Sequence, residues 1–157
     1  MNKIPMTSEG YVKLQEELKK LTSEDRPNII AAIAEARGHG DLSENAEYQY
    51  AKEQQSLIEG RIADLESSIS RAEVIDIKTI TGNSIKFGAT VEIEDDDTGK
   101  KQMYQIVGEY ESDIENKKIS INSPLARGLI GKSKDDTVEI NSPKGVKSYT
   151  IISVKFI

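Results

Sequence analysis

Apolar residues in the first half of the chain recur at alternating intervals of three and four. Tyr48, Ala51, Gln55, Ile58, Ile62, Leu65, Ile69 and Ala72 keep this spacing, which is the seam of a coiled coil. Gln55 is its polar member, at a position where a polar residue sets register. Upstream, Tyr11, Leu14, Leu18 and Leu21 form the same kind of seam behind an N-cap at Thr7 or Ser8. The phase breaks across 22–28 and resumes with Ile29 or Ile30, Ile33 and Ala36. Pro27 lies in the break and suits the first turn of a new segment capped by Ser23. The spacing predicts a kinked first helix over about 8–37 and a straight second one over about 44–75. Gly38-His39-Gly40-Asp41-Leu42-Ser43 separates them. The glycines end the first helix, and Ser43 or Asp41 caps the second. So short a connection makes the helices antiparallel. An arm of roughly 30 residues at 1.5 Å each would extend about 45 Å and carry the connection at its end.

The second half has a different grammar. Short alternating runs at 87–93, 102–107, 118–121, 137–140 and 148–154 read as strands. Turn material such as Asp95-Asp-Asp-Thr-Gly99 and Asn141-Ser-Pro-Lys-Gly145 separates some of them. Ser123-Pro124-Leu125-Ala126 opens a short helix, with Ser as cap, Pro at the first helical position and Gly131 at its end. The fold class is therefore α+β: an N-terminal antiparallel two-helix coiled-coil hairpin, then a small antiparallel sheet with one short helix. The boundary is placed between 77 and 78, giving domains 1–77 and 78–157.

Composition narrows the function. With 21 basic and 27 acidic residues, a formal charge of −6 argues against a protein held to nucleic acid by a globally basic surface. Hydrophobic residues make up only 36%, as expected if much of the chain is a solvated arm with a thin seam. The absence of Cys removes disulfides, thiolate zinc sites and cysteine nucleophiles. His39 is the single histidine, which leaves little material for a triad or a multi-histidine metal site. The first twenty residues contain no apolar core of signal-peptide length. No run approaches the roughly 20 apolar residues of a membrane span. A cytoplasmic protein with no membrane partner is expected.

The segment between the helices is where chemistry concentrates. Asp41 and Glu44 flank a helix start, with Asn45 next and Glu47 one turn on. Two carboxylates presented together can hold a hard cation such as Mg2+, but two are too few to hold it alone. Acids in a first helical turn also serve the helix dipole and act as caps, so both readings stand. His39 is a ligand or a solvated loop residue. Arg37 and Lys52 flank the segment, either to meet a phosphate backbone or as solvated helix positions. The acidic run 94–97 lacks the glycine and distal Glu of a calcium loop; it reads as a hairpin turn that blunts a sheet edge.

The strings Ile29-Ile-Ala-Ala-Ile-Ala-Glu-Ala-Arg37, Gly40-Asp-Leu-Ser-Glu-Asn-Ala-Glu-Tyr48, Glu53-Gln-Gln55 and Glu59-Gly-Arg-Ile62 resemble the bacterial Gre transcript cleavage factors. So do Phe87-Gly-Ala-Thr-Val91 and Ser123-Pro-Leu-Ala-Arg-Gly-Leu-Ile-Gly-Lys132, and the resemblance runs in order through the whole chain. It implies an FKBP-like C-terminal domain that docks on RNA polymerase. The coiled coil would enter the secondary channel when the enzyme has backtracked and its RNA 3′ end is extruded. Asp41 and Glu44 match the acids that support Mg2+ and a water in the polymerase active site, stimulating cleavage without being an enzyme. By the same resemblance Ser43 and Asn45 would orient water or phosphate, and Arg37 and Lys52 would guide RNA. Ser123, Pro124, Leu125 and Ala126 would contribute to docking. No tightly bound cofactor is implied, and a monomer is expected. The alternative is a channel-binding inhibitor of the same fold; the presence of both tip acids favours the cleavage factor.

Overall fold

A computed structural model describes residues 2–40 and 45–157. The elements run β1 (Ile4–Thr7), α1 (Ser8–Lys20), a π turn (Leu21–Asp25), α2 (Arg26–Arg37), α3 (Ala46–Ser70) and β2 (Ala72–Ile75). There follow β3 (Thr90–Asp95), β4 (Lys101–Val107), β5 (Lys118–Ser120), α4 (Pro124–Leu129), β6 (Thr137–Ser142) and β7 (Gly145–Lys155). Two compact units result. Tyr11–Arg71 forms one, and the residues up to Gly10 join Ala72–Ile157 in the other.

In the helical unit the seam is the expected one through most of its length. Ala51, Ile62 and Leu65 of α3 are buried, as are Leu14 of α1 and Ile33 and Ala36 of α2. Ile29 resumes the seam, whereas Ile30 is 52% exposed. Near the end of α3 the fully buried residue is Ser68 rather than Ile69. Its small hydroxyl donates to the Asp64 carbonyl one turn back, at 2.9 Å, so burial leaves no unmet donor.

The phase break is resolved without a new N-terminus. Lys20, Asp25 and Arg26 all keep right-handed helical angles, and the chain passes through one π turn. A π turn takes up one more residue than an α turn. This absorbs the extra residue that displaces Ile29, Ile33 and Ala36 from the heptad set by Leu14 and Leu18. Ser23 is therefore not a cap: its hydroxyl donates to the Lys19 carbonyl at 2.6 Å. Pro27 is the second residue of α2, directly after the π turn, so the donor it lacks falls where the helical hydrogen-bond pattern already changes. Arg26 forms a two-pronged pair with Glu59 on α3, both bonds 2.8 Å, and Arg61 grips Glu17 at 2.7 Å. These pairs are solvent-exposed, so they fix register more than they stabilise.

The expected second helix is shorter than the sequence pattern suggested. It stops at Ser70, and Ala72–Ile75 forms a strand parallel to β1. β-branched Val74 and Ile75 favour that extended pairing. The five-stranded sheet has the order β5-β4-β3-β7-β6. It is antiparallel except at β5, which joins β4 in parallel after a connection containing two 3-10 turns. The core comprises Ile85, Ala89, Val91, Ile93, Ile106, Ile119, Val138 and Ile151, with Ala126 and Leu129 of α4 packed onto it.

The acidic run is a hairpin turn, but at an interior strand, not an edge. Asp95 Oδ1 accepts the Asp97 and Thr98 amides at 2.9 and 3.3 Å, and Gly99 supplies φ +73°. Asp96 crosses to β7, accepting the hydroxyls of Ser148 and Thr150 at 2.6 and 2.7 Å.

Glu111, which no sequence pattern singled out, joins the chain's start to the loop after β4. Its carboxylate accepts the Thr7 amide at 3.1 Å, the Thr7 hydroxyl, and the Gly108 amide at 2.9 Å. The Thr7 hydroxyl in turn accepts the Gly10 amide at 3.0 Å, which makes Thr7 the cap of α1. Gly10 lies so close that an added Cβ would stand 1.9 Å from Glu111 Oε1 and 2.2 Å from its Cδ. At Gly108 an added Cβ would similarly stand 2.3 Å from the Pro5 carbonyl oxygen.

Two glycines thus give opposite predictions under urea denaturation. Gly60→Ala on α3, with nothing within 4 Å of the new Cβ, should stabilise by about 1 kcal/mol. Gly10→Ala should destabilise despite the same propensity gain, because it displaces the Glu111 carboxylate; a stabilised variant would contradict this packing. A second prediction concerns acid. Hydrogen bonds from Ser148 and then Thr150 hold the Asp96 carboxyl below its ordinary value. Its stabilising effect is therefore fully present above the unfolded pKa of about 3.9 and is lost as pH falls through the folded value. The stability gap between the wild type and Asp96→Asn should be widest at neutral pH and close below about pH 4.

Candidate functional site

The site is built from the two helix ends that face each other across 41–44. Gly38 caps α2, its amide donating to the Glu35 carbonyl at 3.0 Å. The His39 amide donates to the Ala36 carbonyl at 3.1 Å. Gly40 then takes φ +117°, a conformation costly to any residue with a Cβ. On the other side Asn45 is extended and caps α3, Oδ1 accepting the Tyr48 amide at 3.1 Å. The cap expected at Ser43 or Asp41 is thus at Asn45. The first helical residue is Ala46, which puts the cap position at 45, and Asn serves there as well as Ser or Asp.

Asn45 also reaches across the hairpin. Its Nδ2 donates to the Ala36 carbonyl at 2.7 Å. Both polar atoms of the side chain are therefore bonded to backbone groups of the helix ends. A second, more exposed bridge joins His39 Nδ1 to Glu47 Oε2 at 3.2 Å. Below the reversal a shallow groove of about 280 Å³ is lined by Ile29, Ala32, Glu35, Ala36, Glu47, Tyr50 and Ala51.

Asp41, Ser43 and Glu44 lie outside the described residues. Arg37 is exposed as the last residue of α2. Lys52 is exposed on α3, its Nζ donating to Gln55 Oε1 at 3.3 Å. The expected docking residues belong to the other unit. Ser123 caps α4, its hydroxyl accepting the Ala126 amide at 3.2 Å, and exposed Pro124 starts the helix. Leu125 is half-buried against the sheet core and Ala126 is fully buried. The Ala126 side chain thus packs the interior and presents no surface. Gly128 lets α4 sit close to β6, since a Cβ there would lie 2.2 Å from Ile140.

Two family models divide the chain between them. "Transcription elongation factor, N-terminal" matches residues 4–74, and "Transcription elongation factor, GreA/GreB, C-term" matches residues 80–156. The chain belongs to the GreA/GreB family. Similar curated relatives include transcription elongation factor GreA of Bradyrhizobium diazoefficiens, 61% identical over 99% of both chains. GreA of Mesorhizobium japonicum is 57% identical over the full length of both. Among solved structures, GreA factor homolog 1 of Thermus thermophilus is 26% identical, covering 98% of this chain and 99% of that one, with a TM-score of 0.46.

In this GreA/GreB-family chain, the cap of α3 was misplaced from sequence and one residue in the sheet unit was missed. Asn45 carries a local signal, an Asn directly before Ala-Glu in a helix's first turn, which the neighbouring acids obscured. Glu111 accepts the Gly108 amide three residues back, but its bonds to Thr7 span 104 positions, and no local pattern encodes those. The cap at Ser123 gives a further prediction. Ser123→Ala should cost about 1 kcal/mol in urea denaturation, whereas Ser123→Asp should stay within a few tenths. Equal stability of Ser123→Ala and wild type would remove the cap from the account of α4.

Proposed function

We propose that this transcription elongation factor acts on bacterial RNA polymerase in a backtracked complex. Its helical hairpin enters the secondary channel, and Asp41 and Glu44 stimulate the polymerase's own endonucleolytic cleavage of the transcript. The observation that carries this reading is the reversal itself. Two acids lie in a four-residue stretch whose flanking helix ends are tied together by Asn45. Arg37 and Lys52, exposed on the two helices beside it, supply local positive charge for the extruded RNA 3′ end despite the net charge of −6. The sheet unit docks the factor, with Ser123, Pro124 and Leu125 contributing to that surface.

Carboxylate oxygens suit a hard divalent cation, and Mg2+ ordinarily takes one or two of them with other ligands completing its shell. Asp41 and Glu44 would therefore hold Mg2+ jointly with the polymerase, where the bound ion supplies Lewis-acid activation of water. Two donated carboxylates suffice on this reading because the remaining ligands belong to the partner. The factor supplies charge and position, and the polymerase supplies the rest of the active site; the factor is not itself an enzyme. The same reading places it in the cytoplasm as a monomer. Among the described residues no helix is long and apolar enough to cross a membrane.

The test is a stalled, backtracked elongation complex with labelled RNA. Wild-type factor should speed release of short 3′ fragments in a Mg2+-dependent way. Asp41→Asn and Glu44→Gln should each lose most of that stimulation while still competing with wild type for polymerase. Normal cleavage by both variants would overturn the role of the tip acids. Cleavage of naked RNA by the factor alone would overturn the non-enzymatic reading.

A further inference from the structure

We propose that Asn45 is the positioning residue of the acidic segment, tying the end of α2 to the start of α3. It thereby fixes the helix ends on either side of residues 41–44. This rests on the reading of Asp41 and Glu44 as the acting carboxylates. Both polar atoms of Asn45 have backbone partners, whereas the expected role had it orient water or phosphate.

The argument starts from unmet backbone groups. The first amides of α3 and the last carbonyls of α2 have no partners within their own helices. A cap side chain needs only an acceptor to satisfy one such amide, so Ser, Thr, Asp and Asn are nearly interchangeable there. Asn differs in carrying an acceptor and a donor on one short planar group. Here Oδ1 takes the Tyr48 amide at 3.1 Å while Nδ2 gives to the Ala36 carbonyl at 2.7 Å. The same carbonyl accepts the His39 amide at 3.1 Å. One side chain thus gives an α3 amide its acceptor, adds a second donor to an α2 carbonyl, and joins the two helix ends.

The other bridge across the reversal, His39 to Glu47, is made by side chains 53% and 72% exposed, and a contact so solvated restrains little. Asn45 is half-buried and engages backbone rather than another mobile side chain. Catalytic groups misplaced by about 1 Å can lose on the order of a hundredfold in rate. Slack at the helix ends would therefore appear in the rate of cleavage rather than in affinity for polymerase.

Two substitutions separate the cap from the tie. Asn45→Ser keeps an acceptor for the Tyr48 amide but is too short to reach Ala36. Asn45→Asp also keeps the cap but sets a carboxylate oxygen against the Ala36 carbonyl. Stimulated cleavage would be measured in backtracked complexes across a range of factor concentrations, with Asp41→Asn in parallel. Thermal midpoint and hydrogen exchange at the Tyr48 amide would be followed on the full-length variants. Both Asn45 variants should lower the saturating cleavage rate by on the order of tenfold to a hundredfold. The half-saturating concentration, the midpoint and Tyr48 protection should stay near wild type. A wild-type rate in either variant, with Asp41→Asn inactive, would overturn this proposal alone. So would a loss seen only as a raised half-saturating concentration, or one that tracks loss of Tyr48 protection. Full stimulation by Asp41→Asn would bring down the tip-acid reading, and this proposal with it.

Discussion

The narrow apolar seam along α3, shared with α2 toward its start and with α1 toward its end, is the constraint on which the functional geometry depends. Ile62 and Leu65 are buried where side chains are large, and Ala36 and Ala51 where they are small. Small residues near the reversal let the helix ends approach, and a side chain as short as Asn45 then spans from one helix to the other's carbonyl. The ion pairs outside the seam are exposed and contribute register more than stability. A thin seam also explains the low apolar fraction of the chain. The helical unit needs only one stripe per helix, while the sheet unit carries a conventional core of branched aliphatic residues.

Much of this was legible because helical spacing is a strong signal. The hairpin, the seam from Tyr48 to Leu65, the Thr7 cap, the five strands and the Ser123-capped helix all follow from periodicity and punctuation. The failures have physical reasons. A heptad break followed by proline suggests a helix end, yet a single extra residue is taken up more cheaply by one π turn within a continuous helix. The stretch 72–75 satisfies the heptad at Ala72, but its β-branched residues pair with the chain's first strand, a long-range contact that no local pattern encodes. Glu111 was illegible for the same reason.

The candidate site was legible in part. Spacing found the reversal, and resemblance assigned its acids; the relatives and family models then supplied the family. What spacing missed is the division of labour between adjacent polar residues. Asn45, an amide, is the residue that caps α3 and reaches the end of α2. An amide can donate and accept at once, and a carboxylate cannot.

The central claim is that the hairpin delivers the acidic segment to the reacting end of the transcript. The most direct measurement places a photo-crosslinking amino acid at position 47, one helical turn beyond Glu44, in a backtracked complex whose RNA is labelled at its 3′ end. The account predicts that irradiation transfers label from the RNA to the factor, and that the transfer disappears when the transcript is not backtracked. Crosslinks confined to polymerase, with no label transfer in the backtracked complex, would contradict it.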